Sequence, residues 1–139
     1  MPETIGELLG LRKALASQLD LANVVKAGLP ASAIDRVKES LDLPDSELTA
    51  ALAISTKTLG RMRKTRRHLS LIEGDRLARL ARLIVLANTV LEQPDLVREW
   101  FRSPQIGLNN QTPLEVLVTE AGAREVEDLL QRIEHGVLT

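Results

Sequence analysis

An all-α fold is what the sequence predicts, on three observations. Apolar residues recur at intervals of three and four, alternating runs of β-branched and polar residues do not occur, and helix-start and helix-stop signals are dense. At 139 residues the chain has the length of about one domain and can bury a sizeable core without staples. It contains no cysteine, which excludes disulfides, a thiol nucleophile and thiolate zinc sites and points to a reducing, intracellular setting. Trp100 and Phe101 are its only aromatic residues, so the core must be aliphatic and stacking platforms for single-stranded nucleic acid are not expected.

The first segment, Ile5 to Ala27, reads as one amphipathic helix stopped by Gly28-Leu29-Pro30. Its Leu8, Leu11, Leu15 and Leu19 fall on one face, a stripe that suits either the chain's own core or a subunit contact. A short helix comes next, from Ser32 through Ile34, Val37 and Leu41. Leu43-Pro44-Asp45-Ser46-Glu47 then opens another, with acidic residues in the first turn as the helix dipole prefers. Asp45 to Lys64 fits a helix-turn-helix: Leu48, Leu52, Ile54, Leu59 and Met62 take the buried positions, Ala53-Ile54-Ser55 forms the turn, and Ser55 or Thr56 caps the second helix. Two positions depart from the commonest pattern. Thr49 replaces a small alanine, and Ala53 replaces the turn glycine at a cost of about 1 kcal/mol in a left-handed conformation, so a less standard turn is expected.

Ser70-Leu71-Ile72-Glu73 is a capping box that opens a long helix to about Leu91. Its Leu77, Leu80, Ala81, Ile84, Val85, Ala87 and Leu91 make a broad apolar face suited to a central pillar. Arg76, Arg79 and Arg82 line another stripe, which reads as a salt-bridged surface ahead of a nucleic-acid contact. Gln93-Pro94-Asp95 starts a helix carrying Val97, Trp100 and Phe101, closed by Ser103-Pro104, with Trp100 as a core anchor. After a loop with Gly107, Asn109 and Asn110, Thr112-Pro113-Leu114-Glu115 combines a cap, a proline at the first helical position and a glutamate at the third. The last helix is read as Gly122 to His135, with Gly136 as its cap.

Counting charge by segment is more informative than the net charge of −1. Residues 1–54 hold five basic and eight acidic side chains, residues 55–82 nine basic and two acidic, and residues 83–139 four basic and nine acidic. A basic patch of net +7 therefore coincides with the second helix of the helix-turn-helix and the segment after it. That helix turns Thr56, Lys57, Thr58, Gly60, Arg61, Arg63 and Lys64 outward, hydrogen-bonding and cationic groups that suit the major groove and its phosphates. Arg66, Arg67 and His68 come after it as backbone contacts or a solvated link.

Other chemistry is missing. The two histidines, His68 and His135, lie in different elements without further ligands at zinc-like spacing, so no metal is expected, and the glycines form no phosphate-cradling cluster. No cofactor is implied. The least polar stretch, Leu83 to Leu91, is far short of the roughly 20 apolar residues of a membrane span. Glu3 and Glu7 precede any basic residue, the wrong order for a secretory signal, so a cytoplasmic location is expected.

The C-terminal half carries Arg98-Glu99-Trp100-Phe101-Arg102-Ser103-Pro104, Leu108, Thr112-Pro113-Leu114-Glu115, Gly122-Ala123, Val126-Glu127-Asp128-Leu129-Leu130 and Ile133-Glu134-His135-Gly136-Val137 in one order. Upstream stand Gly28-Leu29-Pro30, Thr58-Leu59-Gly60-Arg61, Leu69-Ser70 and Asp75-Arg76-Leu77-Ala78-Arg79-Leu80-Ala81. Over about residues 28–139 this series resembles the Xre/MbcA/ParS antitoxin family. Each piece alone is weak; the combination is specific. Two residues depart from the family's commoner pattern: His135 stands where an aromatic residue often precedes the glycine, and Phe101 where leucine often follows the tryptophan.

The resemblance implies a non-enzymatic antitoxin of a type II toxin-antitoxin pair, whose RES-domain toxin consumes NAD or transfers ADP-ribose from it. It implies a homodimer that binds operator DNA through the Xre-like helix-turn-helix and neutralises the toxin through its C-terminal domain. Carried onto this sequence, DNA contact falls to Thr56, Lys57, Thr58, Arg61 and Lys64, and toxin contact to Arg132, His135, Gly136, Val137, Leu138 and Thr139. The expected organisation is an N-terminal helical segment over residues 1–30, a possible dimerisation element, then the helix-turn-helix over 31–69 and the toxin-binding domain over 70–139. The residues agree in one respect: Gly136 followed by Val137-Leu138-Thr139 leaves a short apolar tail that either frays or is covered by a partner. Read without the resemblance, the same residues also suit a free-standing helix-turn-helix regulator with no toxin.

Overall fold

The computed structural model describes residue 2 and residues 4–136, and among these the chain is helical, with no strand beyond one antiparallel bridge between Gln105 and Gln111. The elements are α1 (Ile5–Leu9), α2 (Gln18–Ala27), α3 (Ser32–Leu41), α4 (Asp45–Leu52), α5 (Thr56–Thr65), α6 (Leu71–Leu91), α7 (Pro94–Arg102), a 3-10 turn (Ile106–Leu108), α8 (Pro113–Val116) and α9 (Glu120–Glu134). The pillar is α6. Ser70 accepts from the Glu73 N–H while the Glu73 carboxylate accepts from the Ser70 N–H, so the capping box is complete. From there α6 runs about 31 Å at 1.5 Å per residue. Against it pack α1, α2, α3 and α4 from the N-terminal half and α7 and α9 from the C-terminal half. Leu77, Leu80, Ala81, Leu83, Ile84 and Ala87 are fully buried along it.

The N-terminal reading needs correction. Residues 5–27 are not one helix: α1 ends at Gly10, whose φ of 73° is the left-handed conformation that glycine adopts without penalty. The Gly10 N–H bonds the Glu7 carbonyl and the Leu11 N–H bonds the Gly6 carbonyl, a Schellman stop. The chain re-enters helix at Ser17, which accepts from the Asp20 N–H, while the Asp20 carboxylate accepts from the Ala16 N–H. The expected leucine stripe is thereby dispersed. Leu8 is buried, Leu11 and Leu15 are half-buried, and Leu19 is 69% exposed. Short as it is, α1 wedges Leu8 and Leu9 between α3 and α6.

The helix-turn-helix is present as expected, with Leu48, Leu52, Leu59 and Met62 buried and Ile54 partly so. Ser55 is the cap of α5, accepting from the Thr58 N–H. The turn, however, is not a variant one. Ala53 takes φ 52°, ψ 45°, the conformation glycine would take, and bears the strain in place. Arg76 of α6 donates to the Ala53 carbonyl at 3.2 Å and reaches the Leu52 carbonyl at 3.5 Å, placing a cation at the carbonyl end of α4. Thr49 is buried, and its hydroxyl is satisfied by the Ser46 carbonyl at 3.1 Å.

In the C-terminal half, Val97, Trp100 and Phe101 turn inward from α7, the two rings meeting edge to face at 5.2 Å. Asn109 and Asn110 take the left-handed positions of the following loop, as asparagine tolerates. The last helix begins two residues earlier than the sequence reading placed it, at Glu120, because Thr119 accepts from the Gly122 N–H and is the cap. Gly122 is needed for a different reason: a Cβ there would lie 1.7 Å from the Val116 carbonyl oxygen, so α8 and α9 meet only through glycine. Gly136 has φ 74° just after the helix.

The strain at Ala53 is measurable. Ala53→Gly is expected to stabilise the protein by about 0.5–1 kcal/mol, the relief of the left-handed alanine less the added freedom of the unfolded chain. That corresponds to a rise in melting temperature of about 2–4 °C. An unchanged or lowered melting temperature would show that the turn carries no strain.

Candidate functional site

The outer face of α5 is defined by what its inner face buries. With Leu59 and Met62 packed inward, Thr56, Lys57, Gly60, Arg61 and Lys64 form one continuous exposed strip containing no acidic residue. Lys57, Arg61 and Lys64 make no side-chain ion pair among the described residues. Gly60 has nothing within 4 Å of where a Cβ would stand, so nothing among the described residues requires a glycine in mid-helix. Its cost relative to alanine is about 1 kcal/mol. The strip lets a partner approach the helix backbone closely between two cations. Thr58 lies at its margin, half-buried, where it receives a hydrogen bond from the Ser55 hydroxyl at 2.9 Å.

Arg63 does not belong to this strip, contrary to the sequence reading. It turns onto Asp35 of α3 and Asp45 of α4, with contacts of 2.8–3.1 Å. Its hydrogen bonds hold Asp45 below the usual carboxylate range, and Arg63 itself is raised. The loop after α5 is similarly tied. His68 Nδ1 lies 3.0 Å from the Gly28 carbonyl, and the Leu69 N–H donates to the Leu29 carbonyl at 2.8 Å. Arg67 grips both oxygens of Glu73 at 2.9 and 3.1 Å. Of the expected backbone contacts, Arg66 alone is exposed with no side-chain hydrogen bond or ion pair among the described residues, and it takes a left-handed φ of 53°.

The arginines of α6 are structural where they are paired. Arg76 holds the helix-turn-helix turn, and Arg79 contacts Asp75 at 3.7 Å, Glu120 at 3.1 Å and the Val118 carbonyl at 3.4 Å. Arg82 is half-buried, its Nε without a partner. The sequence-predicted toxin residues lie at the far end of α9. Arg132 is half-buried with its Nε buried and unpartnered, His135 is the exposed C-cap, and Gly136 is exposed. Val137, Leu138 and Thr139 lie outside the described residues. The exposed face of α9 presents Glu125, Asp128 and Glu134.

Arg102 joins the two halves directly, a contact that no local pattern announced. From α7 its Nε donates to Glu47 of α4 at 3.2 Å and its Nη2 to the Asp42 carbonyl. Among the described residues no cluster of three or more His, Asp or Glu could hold a metal, and no helix is long and apolar enough to cross a membrane.

This geometry defines a helix-turn-helix protein whose long central helix is shared with a second helical module. Residues 20–82 match the antitoxin Xre-like helix-turn-helix domain, and residues 86–136 match the antitoxin Xre/MbcA/ParS C-terminal toxin-binding domain. The chain is 31% identical over 120 residues to Antitoxin Xre of Yersinia enterocolitica, covering 86% of this chain and 81% of that protein. It is 26% identical over 117 residues to Antitoxin Xre of Photorhabdus laumondii, covering 84% and 79%. It is also 26% identical over 130 residues to the Prs ADP-ribosylating antitoxin of a Sphingobium species, covering 87% and 82%. The chain belongs to the Xre/MbcA/ParS family of type II antitoxins, whose partner is a toxin.

Glu73 supplies an acid-dependent check on this region. Arg67 first, then the Ser70 cap, hold its carboxyl at about 2, against some loss to burial. A depressed folded-state pKa means the contribution is complete above the ordinary carboxylate range and is lost as pH falls toward about 2. Glu73→Gln should lower stability at neutral pH by about 1–2 kcal/mol, allowing for solvent screening of the partly exposed pair. Denaturant melts from pH 7 to pH 2.5 should show the two proteins converging in acid; a constant gap would refute the assignment.

Proposed function

We propose that this antitoxin neutralises a RES-type toxin that consumes NAD or transfers ADP-ribose, and represses its own operon by binding operator DNA as a homodimer in the cytoplasm. The chain itself performs no catalysis in this reading. The observation that carries the DNA half is the acid-free strip of α5, where Lys57, Arg61 and Lys64 make no ion pair among the described residues and Gly60 leaves the backbone open. Such a helix suits the major groove: Arg61 has the fork that recognises a guanine edge, and Lys64 and Lys57 suit phosphates. Thr56 and Thr58 complete the assigned contacts, Thr58 from the margin.

Toxin contact is assigned to Arg132, His135, Gly136, Val137, Leu138 and Thr139. Its support is the C-terminal toxin-binding match and the unpartnered Nε of Arg132 at the end of α9. The name of the Sphingobium relative, which couples antitoxin with ADP-ribosylation, favours a toxin that uses ADP-ribose chemistry. The functional division proposed is residues 1–30 as an N-terminal helical segment that contributes to dimerisation, 31–69 for DNA and 70–139 for toxin.

Two experiments test the two halves. Arg61→Ala should weaken operator binding by about 1–3 kcal/mol, and Lys64→Ala should lower the salt dependence by about one phosphate contact. Unchanged affinity in both would place the reading surface elsewhere. In cells co-expressing the toxin, deletion of Val137 to Thr139 should abolish rescue of growth and NAD level while leaving operator binding intact. Full rescue by the shortened chain would remove the tail from the mechanism.

A further inference from the structure

Arg63 lies on the shoulder of α5, beside the strip rather than on it, and its guanidinium is shared between two other helices. Its Nε and Nη2 donate to Asp35 Oδ1 of α3 at 3.1 and 2.8 Å. Its Nη1 donates to Asp45 Oδ2 at 2.8 Å, and Nη2 to Asp45 Oδ1 at 3.0 Å. All three nitrogens are used, and α3, α4 and α5 meet at one planar group. Lys38 stands 3.8 Å from Asp45 on the outer side.

This chemistry has two consequences. Only Leu59 and Met62 of α5 are buried, and two apolar side chains leave the roll of a ten-residue helix weakly defined, because apolar contact is non-directional. A forked, bidentate hydrogen-bonding group is directional and defines that roll; an ammonium on a flexible stem does not. The second consequence is electrostatic. Two carboxylates neutralise Arg63, so a cation of α5 that could have joined any phosphate is withheld. Non-specific binding grows with the number of phosphates neutralised, whereas base reading depends on orientation.

We propose that Arg63 is a positioning and specificity-determining residue for DNA: the Asp35–Arg63–Asp45 clamp sets the roll of α5 in the groove and keeps one cation from binding phosphates indiscriminately. This rests on the DNA-binding reading above. The site lies outside the assigned contacts, and its action is through the orientation of Arg61 and its neighbours.

The test uses the full chain with two duplexes of equal length, the DNA immediately upstream of its own coding sequence and a shuffled version, each titrated across salt concentrations. Arg63→Lys keeps the charge and loses the fork; it should bind the upstream duplex about tenfold more weakly and the shuffled duplex as the wild type does, with an unchanged salt slope. Asp35→Asn/Asp45→Asn frees the guanidinium and, with it, the Lys38 ammonium beside Asp45; it should bind the shuffled duplex more tightly, steepen the salt slope by about one to two phosphates and reduce the preference for the upstream duplex. Helicity of both variants is checked by circular dichroism, and the double variant, whose freed Arg63 side chain is already 33% exposed, gives the answer if Arg63→Lys is misfolded. Equal binding of the upstream duplex by Arg63→Lys and wild type, or an unaltered duplex preference in the double variant, overturns the clamp alone. A wild-type chain with no preference for the upstream duplex overturns the DNA-binding reading and the clamp with it.

Discussion

Burial of α6 along most of its length is the constraint on which the rest of the structure depends. A chain with two aromatic residues must build its core from many aliphatic side chains, each contributing about 1.5–3 kcal/mol when fully buried. Here they converge on one 21-residue rod. Since α3 and α4 lean on the same helix as α7 and α9, neither half has a separate core. The two family matches end at residue 82 and begin at residue 86, within that helix, so the boundary between them is a place along a rod and not a linker.

Arginine does the fastening between the pieces. Arg76 caps the carbonyl end of α4, Arg79 bridges to Glu120 at the start of α9, and Arg102 reaches from α7 to Glu47 and the Asp42 carbonyl. Each uses the several directional donors of the guanidinium to satisfy carbonyls or carboxylates at helix ends that helical bonding leaves open. The helix-turn-helix and the C-terminal module are therefore held in a defined relation by side chains at helix ends, in addition to the shared apolar core.

The same pairing changes what the basic segment means. Of its nine cations, Arg63, Arg67, Arg76 and Arg79 are engaged within the protein. The outward set is narrower than net charge suggests: Lys57, Arg61 and Lys64 around an open Gly60, with Arg66 just beyond them. A charge run read along a sequence counts every cation alike, but a partner meets only those that the fold leaves unpaired.

Local sequence determined most of the helices, the helix-turn-helix with its Ser55 cap, the Ser70–Glu73 box and the inward Trp100. Helix ends and amphipathic spacing are encoded within a few residues. Even the two misplaced boundaries have local signals, Gly10 with Ser17-Gln18-Leu19-Asp20 in one case and Thr119 in the other, which the leucine spacing and Gly122 outweigh along the sequence alone. Tertiary structure alone decided the fate of the long arginines. Arg63 meets Asp35 across 28 residues and Arg102 meets Glu47 across 55, and which carboxylate a flexible cation finds depends on how helices pack, not on spacing along the chain. Packing likewise settled that Ala53 bears a glycine's conformation, since Arg76 and the surrounding core hold the turn in a shape that its own residue disfavours.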